Sequence, residues 1–244
     1  MGAAVDVLSM WIDVGHLRLG GGTALEARWH HRSSTDLGFF FSPGDAPSSV
    51  LFHKDFDDIR MDLHRLVRDG VISKDGVLLN GTDHIQFRIG GTPVSFVRTQ
   101  SFHDDPCEEV EHVTGVILSG TRDILAKKMF NRLGINRLTT ERDAYDFAVA
   151  RTLAPDDLAY AWAIMSDDMK RGAIRAYRDL AQGGAGSDSP ALTNPEQGHI
   201  AADLWHHVSK MLDSNLEYAP PLSEGLRGPP RASEGKGSPP ERRA

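Results

Sequence analysis

The sequence has very little cysteine and no long apolar run. Cys107 is the single cysteine among 244 residues, so an intrachain disulfide is excluded and a reducing cytoplasm is the expected location. No run of about 18 apolar residues occurs, which predicts that no helix spans a membrane and that a membrane is not a partner. The first fifteen residues carry acids and lack a basic region, so we do not expect a signal peptide.

Positive charge is also in short supply. The chain has 34 Asp and Glu residues against 27 Lys and Arg residues, and its formal net charge is -7. This balance argues against a broad surface for polyanions, although it leaves room for a local basic cleft. A hydrophobic content of 40% and a charged content of 25% are ordinary for a globular protein.

The two halves of the chain have different patterns. In the first half, DLGFFF and HIQFRI have the apolar and aromatic content of strands, and PVSFVRT follows a GGT turn as a hairpin partner. In the second half, apolar residues recur at helical spacing in five consecutive segments. The pattern predicts an α+β protein in which a small mixed sheet is followed by helices.

Domain boundaries follow from this change of pattern. We expect a mixed-sheet α/β domain over residues 1–115 and a helical domain over residues 116–216. Residues 217–244 are rich in Pro, Gly and Ser and have few apolar side chains, so we expect a disordered tail.

A glycine cluster opens the first candidate site. Gly21, Gly22 and Thr23 stand at the start of a predicted short helix, where free backbone N–H groups and the helix dipole favour an anion. The hydroxyl of Ser34 adds a hydrogen-bond donor, and Arg32 would hold a phosphate through two hydrogen bonds. The alternative is a glycine-rich turn with ordinary surface charges, since such motifs are weak on their own.

The strand that follows carries one carboxylate where a metal site would use two. Asp36 and residue 38 point to the same face, because side chains alternate along a strand. Two carboxylates at these positions would share a Mg²⁺ ion bound to a triphosphate. Residue 38 is Gly38, so Asp36 is the only acid of this pair.

The second candidate site lies on the helix predicted from TRDILAKKMFNRL. At about 100° per residue, Lys128 and Arg132 fall within the apolar arc of this helix, whereas Lys127 falls outside it. An inward Lys beside an Arg favours a polyanion such as a triphosphate. The alternatives are that these side chains extend to the surface or pair with an internal acid.

The next predicted helix contributes an Arg and two acids. Arg142 and Asp146 are four residues apart and share a face at the edge of the packed surface, while Asp143 is rotated away by about 100°. Asp146 would orient Lys128 or act as a general base on an attacking hydroxyl. The alternative is an exposed helical ion pair worth roughly 0.3–0.5 kcal/mol.

Together these motifs resemble the AbiEii/AbiGii-type toxin family, a branch of the polymerase-β-like nucleotidyltransferase superfamily. The matching segments are GGTAL and HRSSTDLGFFF in the first half, and DILAKKMFNR and RDAYDFA in the second. They cover about a fifth of the chain. The order of the motifs and the change from strands to helices agree as well.

The resemblance implies transfer of a nucleotide from an NTP to an RNA, such as a tRNA, or to a protein hydroxyl, with Mg²⁺ as cofactor and a cognate antitoxin as partner. It implies a phosphate cradle made of Gly21, Gly22, Thr23 and Ser34. Asp36 would be the metal ligand, and Asp36, Lys128 and Asp146 would be catalytic. The remaining nucleotide contacts would come from Arg32, Lys128, Arg132, Arg142 and Asp143.

Gly38 departs from the family pattern, in which a second Asp stands at this position. Loss of a metal ligand would weaken Mg²⁺ binding and lower activity. The sequence therefore leaves three hypotheses open. The protein is a weakened nucleotidyltransferase, a decayed relative that still binds nucleotide or RNA, or an interaction protein whose charges are only surface charges.

Overall fold

The structure is a computed structural model that describes most of the chain. The described residues are 1–41, 54, 56–80, 84–99, 101–102, 110–111, 116–137, 140–182, 192 and 194–217. Cys107 and almost all of the predicted tail lie outside these ranges.

The strands of the described residues form one seven-stranded mixed sheet in the order β3-β4-β5-β2-β1-β7-β6. The pairs β1–β7 and β2–β5 are parallel, and the other neighbouring pairs are antiparallel. The strands are β1 Arg18–Gly20, β2 Leu37–Phe41, β3 Leu78–Asn80, β4 His84–Ile89, β5 Thr92–Arg98, β6 Val110–Glu111 and β7 Ile117–Leu118. The predicted α+β class is confirmed, as is the hairpin of β4 and β5.

Helices precede, interrupt and follow the sheet. The α-helices are α1 Gly2–Ser9, α2 Gly21–Trp29, α3 Phe56–Arg68, α4 Thr121–Lys127, α5 Glu141–Leu153, α6 Pro155–Ala163, α7 Asp167–Ala181, α8 Gly198–Ala202 and α9 Leu204–Glu217. A 3-10 turn spans Val14–His16, and α4 continues directly into a π-helical segment at Lys128–Ile135. None of the helices in these ranges has the length and apolar character needed to cross a membrane.

The two faces of the sheet carry very different side chains. One cross-strand row is fully buried and consists of Leu19, Phe39, Phe96 and Ile85. The adjacent row points to the opposite face because strand side chains alternate, and it consists of Gly20, Gly38 and Ser95. We call this second surface the glycine face. Gly20 on this face is also the N-cap residue of α2.

Helix α5 joins the two halves of the molecule. It contacts α6 and α9 in the second half and α2 in the first half, and every residue from Asp143 to Ala150 is buried. Strand β7 lies beyond the predicted boundary at residue 115 and still pairs with β1 in the sheet. The division into two domains therefore stays a prediction, and the sheet extends slightly past its boundary.

Candidate functional site

The N-terminus of α2 is built from three consecutive glycines at the end of β1. Gly20 is the N-cap residue, and no side chain caps the helix or places an acid in its first turn. Gly21 has φ +64, a left-handed conformation that glycine adopts without steric cost. The first backbone N–H groups of α2 consequently lack helical partners and carry the positive end of the helix dipole.

Gly22 makes close packing possible under this helix start. A Cβ atom at Gly22 would overlap Nη2 of Arg32 and would lie 3.2 Å from Oγ of Ser34. The hydroxyl oxygens of Thr23 and Ser34 are 3.1 Å apart, and the Thr23 hydroxyl donates to the carbonyl of Asp36. We call Gly21, Gly22, Thr23 and Ser34 the glycine cradle. The structure brings all four predicted cradle residues to one place.

Asp36 lies at the edge of the cradle, immediately before β2. Its side chain is 56% exposed, and Oδ2 is 3.6 Å from Nη1 of Arg142 on α5. A Cβ at Gly38 would lie 3.5 Å from the ring of Phe40 and 3.9 Å from Oγ of Ser95, which are ordinary contacts. The backbone would therefore accept a side chain at residue 38, although the sequence supplies none.

The donor set around Asp36 does not fit a protein-held magnesium ion. In the described part of the chain, no group of three or more His, Cys, Asp or Glu side chains is arranged to hold a metal. The one carboxylate that the sequence assigns to the metal is also close to the positive charge of Arg142. Mg²⁺ requires several oxygen ligands in near-octahedral geometry, so any such ion would depend mainly on oxygens of a ligand.

A buried cluster of charges lies behind the cradle, centred on Asp146. Its carboxylate accepts from Nε and Nη2 of Arg32 at 2.6 and 2.9 Å. Nε2 of His31 lies 2.8 Å away, and Nζ of Lys128 lies 3.1 Å away. Burial alone would raise the pKa of Asp146, but Lys128, His31 and Arg32 outweigh burial and hold that pKa far below its usual range.

Asp143 extends this cluster toward α4 and the π-helical segment. Nζ of Lys128 donates to its Oδ1 at 2.6 Å, Nη1 of Arg132 donates at 3.2 Å, and the Thr140 hydroxyl donates to Oδ2 at 2.8 Å. We call His31, Arg32, Lys128, Asp143 and Asp146 the buried charge network. Its charged members are paired with one another, as buried charges must be to avoid a large desolvation cost.

The structure corrects the predicted orientation of several charged side chains. Lys127 was expected to point outward, yet it is buried, pairs with Asp123 at 2.6 Å and lies over the ring of Phe40. Arg132 was expected inside, but 44% of its side chain is exposed. For Arg132 the cause is the π-helical segment that begins at Lys128, because a rotation of about 100° per residue no longer applies there. Lys127 precedes that segment, in a stretch of α4 where every residue from Ile124 to Lys127 is buried.

Asp143 also departs from its expected position, since it is buried beside Lys128 rather than rotated away from the site. Helix α5 is surrounded by packed elements, so its faces do not divide into an inner and an outer side. The exposed Arg142–Asp146 pair is not formed, because Asp146 bonds to the network and Arg142 approaches Asp36.

Lys128 and Arg32, which the sequence assigned to the triphosphate, both bond to acids inside the protein. Lys128 is paired with internal acids, which is one of the alternatives considered for it. Arg32 directs its guanidinium to Asp146, so in this structure it supports the cradle from below and is 4% exposed. Asp146 is fully buried, which favours orienting its neighbours over accepting a proton from a bound substrate.

His31 is a network residue to which the sequence pattern assigned no role. Its ring stacks on Tyr145 with a centroid distance of 5.7 Å and an interplanar angle of 4°. The Tyr145 hydroxyl donates to the carbonyl of His31 at 3.0 Å. The sequence feature that pointed to His31 was its place in HRSSTD, next to Arg32. Periodicity alone has no means of identifying a partner 115 residues away.

Comparisons with known proteins identify only remote structural neighbours. No family model and no curated protein matches the sequence. A candidate nucleotidyltransferase from H. pylori is 16% identical, with a TM-score of 0.44, over 88% of this chain and 92% of that one. JHP933 from Helicobacter pylori is 14% identical, with a TM-score of 0.44, over 88% and 90% of the two chains.

A further structural neighbour is the antibiotic-resistance factor ANT(2'')-Ia. It is 16% identical, with a TM-score of 0.35, over 68% of this chain and 85% of that one. At such low TM-scores these likenesses carry no argument about this chain. Its function has to be inferred from its own residues and motifs.

Proposed function

We propose that this protein binds a nucleoside triphosphate at the glycine cradle and transfers its nucleotidyl group to a hydroxyl of an acceptor. The acceptor class that the motif resemblance favours is RNA, such as a tRNA, or a protein. In this reaction the acceptor oxygen bonds to the α-phosphorus, the bond from that phosphorus to the bridging oxygen breaks, and pyrophosphate leaves.

The observation that carries the proposal is the uncapped start of α2. No side chain caps its first N–H groups, and the bonded hydroxyls of Thr23 and Ser34 lie beside it. At Gly22 a side chain would collide with Arg32, so the packing at this helix start requires glycine. Backbone amides at a helix start are a common way to bind phosphate.

The buried charge network supports this site without contacting the nucleotide. Asp146 holds Arg32 through two hydrogen bonds, and Arg32 packs under Gly22. Lys128 links Asp146 to Asp143. We therefore assign Lys128, Asp143 and Asp146 to positioning, and we assign Arg142 and Arg132, which are more exposed, to contact with the triphosphate.

The test is incubation of the purified chain with labelled NTPs, Mg²⁺ and total tRNA, with a parallel reaction that contains protein acceptors. We expect label on one acceptor class and release of pyrophosphate. A Gly22→Val variant is the matched negative control, because the added side chain collides with Arg32. Absence of both label transfer and NTP binding would falsify the proposal.

A second candidate function is binding of nucleotide without turnover. Two observations favour it, the missing carboxylate at Gly38 and the position of Arg142 at 3.6 Å from Asp36. The variant Gly38→Asp separates the candidates, because the backbone has space for this side chain. If the wild type binds ATP but is inert and Gly38→Asp gains transfer activity, the protein is a decayed enzyme. Gly38→Asn controls for size without charge.

The wider biological role follows only from the resemblance. We propose that the protein is a toxin component with a cognate antitoxin as partner. Induced expression in a host cell should then arrest growth, and a neighbouring gene should relieve the arrest. Growth that is unaffected by expression of an active Gly38→Asp variant would argue against this role while leaving the transferase proposal intact.

A further inference from the structure

Ser119 lies at the same edge of the sheet as the glycine cradle. Strand β7 runs parallel to β1 with Leu118 opposite Leu19, and the backbone N–H of Ser119 donates to the carbonyl of Leu19 at 2.8 Å. The carboxyl ends of these neighbouring parallel strands therefore meet, and Ser119 stands beside Gly20. Ligands of open α/β sheets bind at such strand ends.

The hydroxyl of Ser119 is buried without a hydrogen-bond partner. The residue is 4% exposed, and among the described residues nothing bonds to its Oγ. Its carbonyl accepts from Nη1 of Arg28, so the backbone is fixed while the hydroxyl is unused. Buried hydroxyls are nearly always paired, and an unpaired one calls for an explanation such as a ligand.

This unused hydroxyl lies beside the start of α2. Oγ of Ser119 lies 3.2 Å from the position that a Cβ of Gly20 would take, and Gly20 is the N-cap residue of that helix. The uncapped helix start and the unpaired hydroxyl are independent features. Both favour a ligand rich in hydrogen-bond acceptors and negatively charged, which is the chemistry of a phosphate group.

Phe40 covers this point on the glycine face. Two of its ring atoms lie 2.5 and 2.6 Å from the Cβ position of Gly20, and the ammonium of Lys127 lies 4.9 Å from the ring centroid. The ring must therefore turn before a phosphate contacts Ser119. Neither Gly20 nor Gly38 has a side chain to oppose that rotation.

We propose that the Ser119 hydroxyl donates a hydrogen bond to a phosphate oxygen of the nucleoside triphosphate bound at the N-terminus of α2. Ser119 is then a phosphate ligand that lies outside the motifs of the cradle. This inference rests on the proposed function, since it requires that the cradle bind a triphosphate.

The experiment is calorimetric titration of ATP and of inorganic triphosphate into the full chain, its Ser119→Ala variant and its Ser9→Ala variant. Ser9 lies on α1, where its exposed hydroxyl bonds to the nearby carbonyl of Asp6. We expect Ser119→Ala to weaken both ligands about ten-fold, the loss typical of one hydrogen bond to a charged group. Ser9→Ala should bind as the wild type does.

The outcomes distinguish the two proposals. If the wild type binds both ligands and Ser119→Ala binds them equally well, the role of Ser119 is overturned and the cradle assignment stands. If the wild type binds neither ligand, the proposed function fails and Ser119 fails with it. Thermal melts without ligand check folding, and a normally folded Ser119→Ala with weakened binding supports the proposal.

Discussion

The glycine cradle and the buried charge network lie side by side, yet they differ in whether their polar groups are already paired. The cradle presents backbone N–H groups at a helix start that no side chain caps. The network pairs its charges internally, with Asp146 fully buried among three partners. Arg32 belongs to both, since it bonds to Asp146 and packs under Gly22.

The residues that the sequence grouped into one candidate site therefore have two different physical roles in the structure. Exposed groups are able to exchange water for a ligand, whereas buried ions resist any exchange that leaves a partner unpaired. Mutations in the network should therefore change stability most, and mutations in the cradle should change affinity most. Four predictions test this contrast.

The largest effect is expected for Asp146→Ala. The substitution leaves Arg32 and Lys128 buried with fewer partners, and breaking a buried pair in this way costs about 3–5 kcal/mol. Urea denaturation should show this loss in the free energy of unfolding. Asp168→Ala is the matched control, because its helical partner Arg171 and its own side chain are exposed. Equal losses in the free energy of unfolding for the two variants would contradict the distinction between the buried network and an exposed ion pair.

A smaller, graded loss is expected in acid. The pKa of Asp146 is lowered in the folded state, so its contribution to stability is fully present above the unfolded carboxyl pKa of about 3.9 and is lost as the pH falls toward the folded value. Melting temperatures of the wild type and Asp146→Asn should converge as the pH drops below about 4. A difference in melting temperature that stays constant as the pH falls would contradict the lowered pKa of Asp146.

In the cradle, Gly22→Ala should act mainly on ligand affinity. Its Cβ displaces Arg32 beneath the helix start, and we expect ATP to bind about ten-fold more weakly through loss of one hydrogen bond from a backbone N–H group of α2 to the charged phosphate. Gly172→Ala is the control, because nothing lies within 4 Å of its Cβ in helix α7. That variant should keep full affinity and lose no stability.

The smallest change in stability is expected for Arg142→Gln. Arg142 is 3.6 Å from a carboxylate that is 56% exposed, and such pairs contribute at most about 1 kcal/mol. Its ATP affinity should nevertheless fall, because we assign Arg142 to the triphosphate. A stability loss as large as that of Asp146→Ala would place Arg142 in the network instead.

Several parts of the fold were predictable because they depend on local pattern. The glycines before α2, the apolar strand β2 and the hairpin of β4 and β5 were all identified from composition and alternation. The α+β class followed from the change of periodicity between the halves. Each of these features depends on neighbours within a few residues along the chain.

The pairing of charged side chains was harder to predict from the sequence. Arg132 was misplaced because the π-helical segment at Lys128–Ile135 changes the rotation per residue. Lys127 was misplaced because its stretch of α4 is buried on all sides, from Ile124 to Lys127. His31 was missed because its partner Asp146 is far away in sequence. Ser119 carries no motif, and only the parallel register of β1 and β7 places it beside Gly20.

The sequence by itself determined that a glycine cluster opens α2 and that residue 38 supplies no second carboxylate. Backbone freedom at Gly21 and side-chain chemistry at Asp36 and Gly38 are properties of the residues themselves. Only the tertiary structure decided that Asp146 and Lys128 face each other inside the protein rather than a ligand. Buried ions pair with partners that are distant in the sequence, because an unpaired charge away from water has a large free-energy cost.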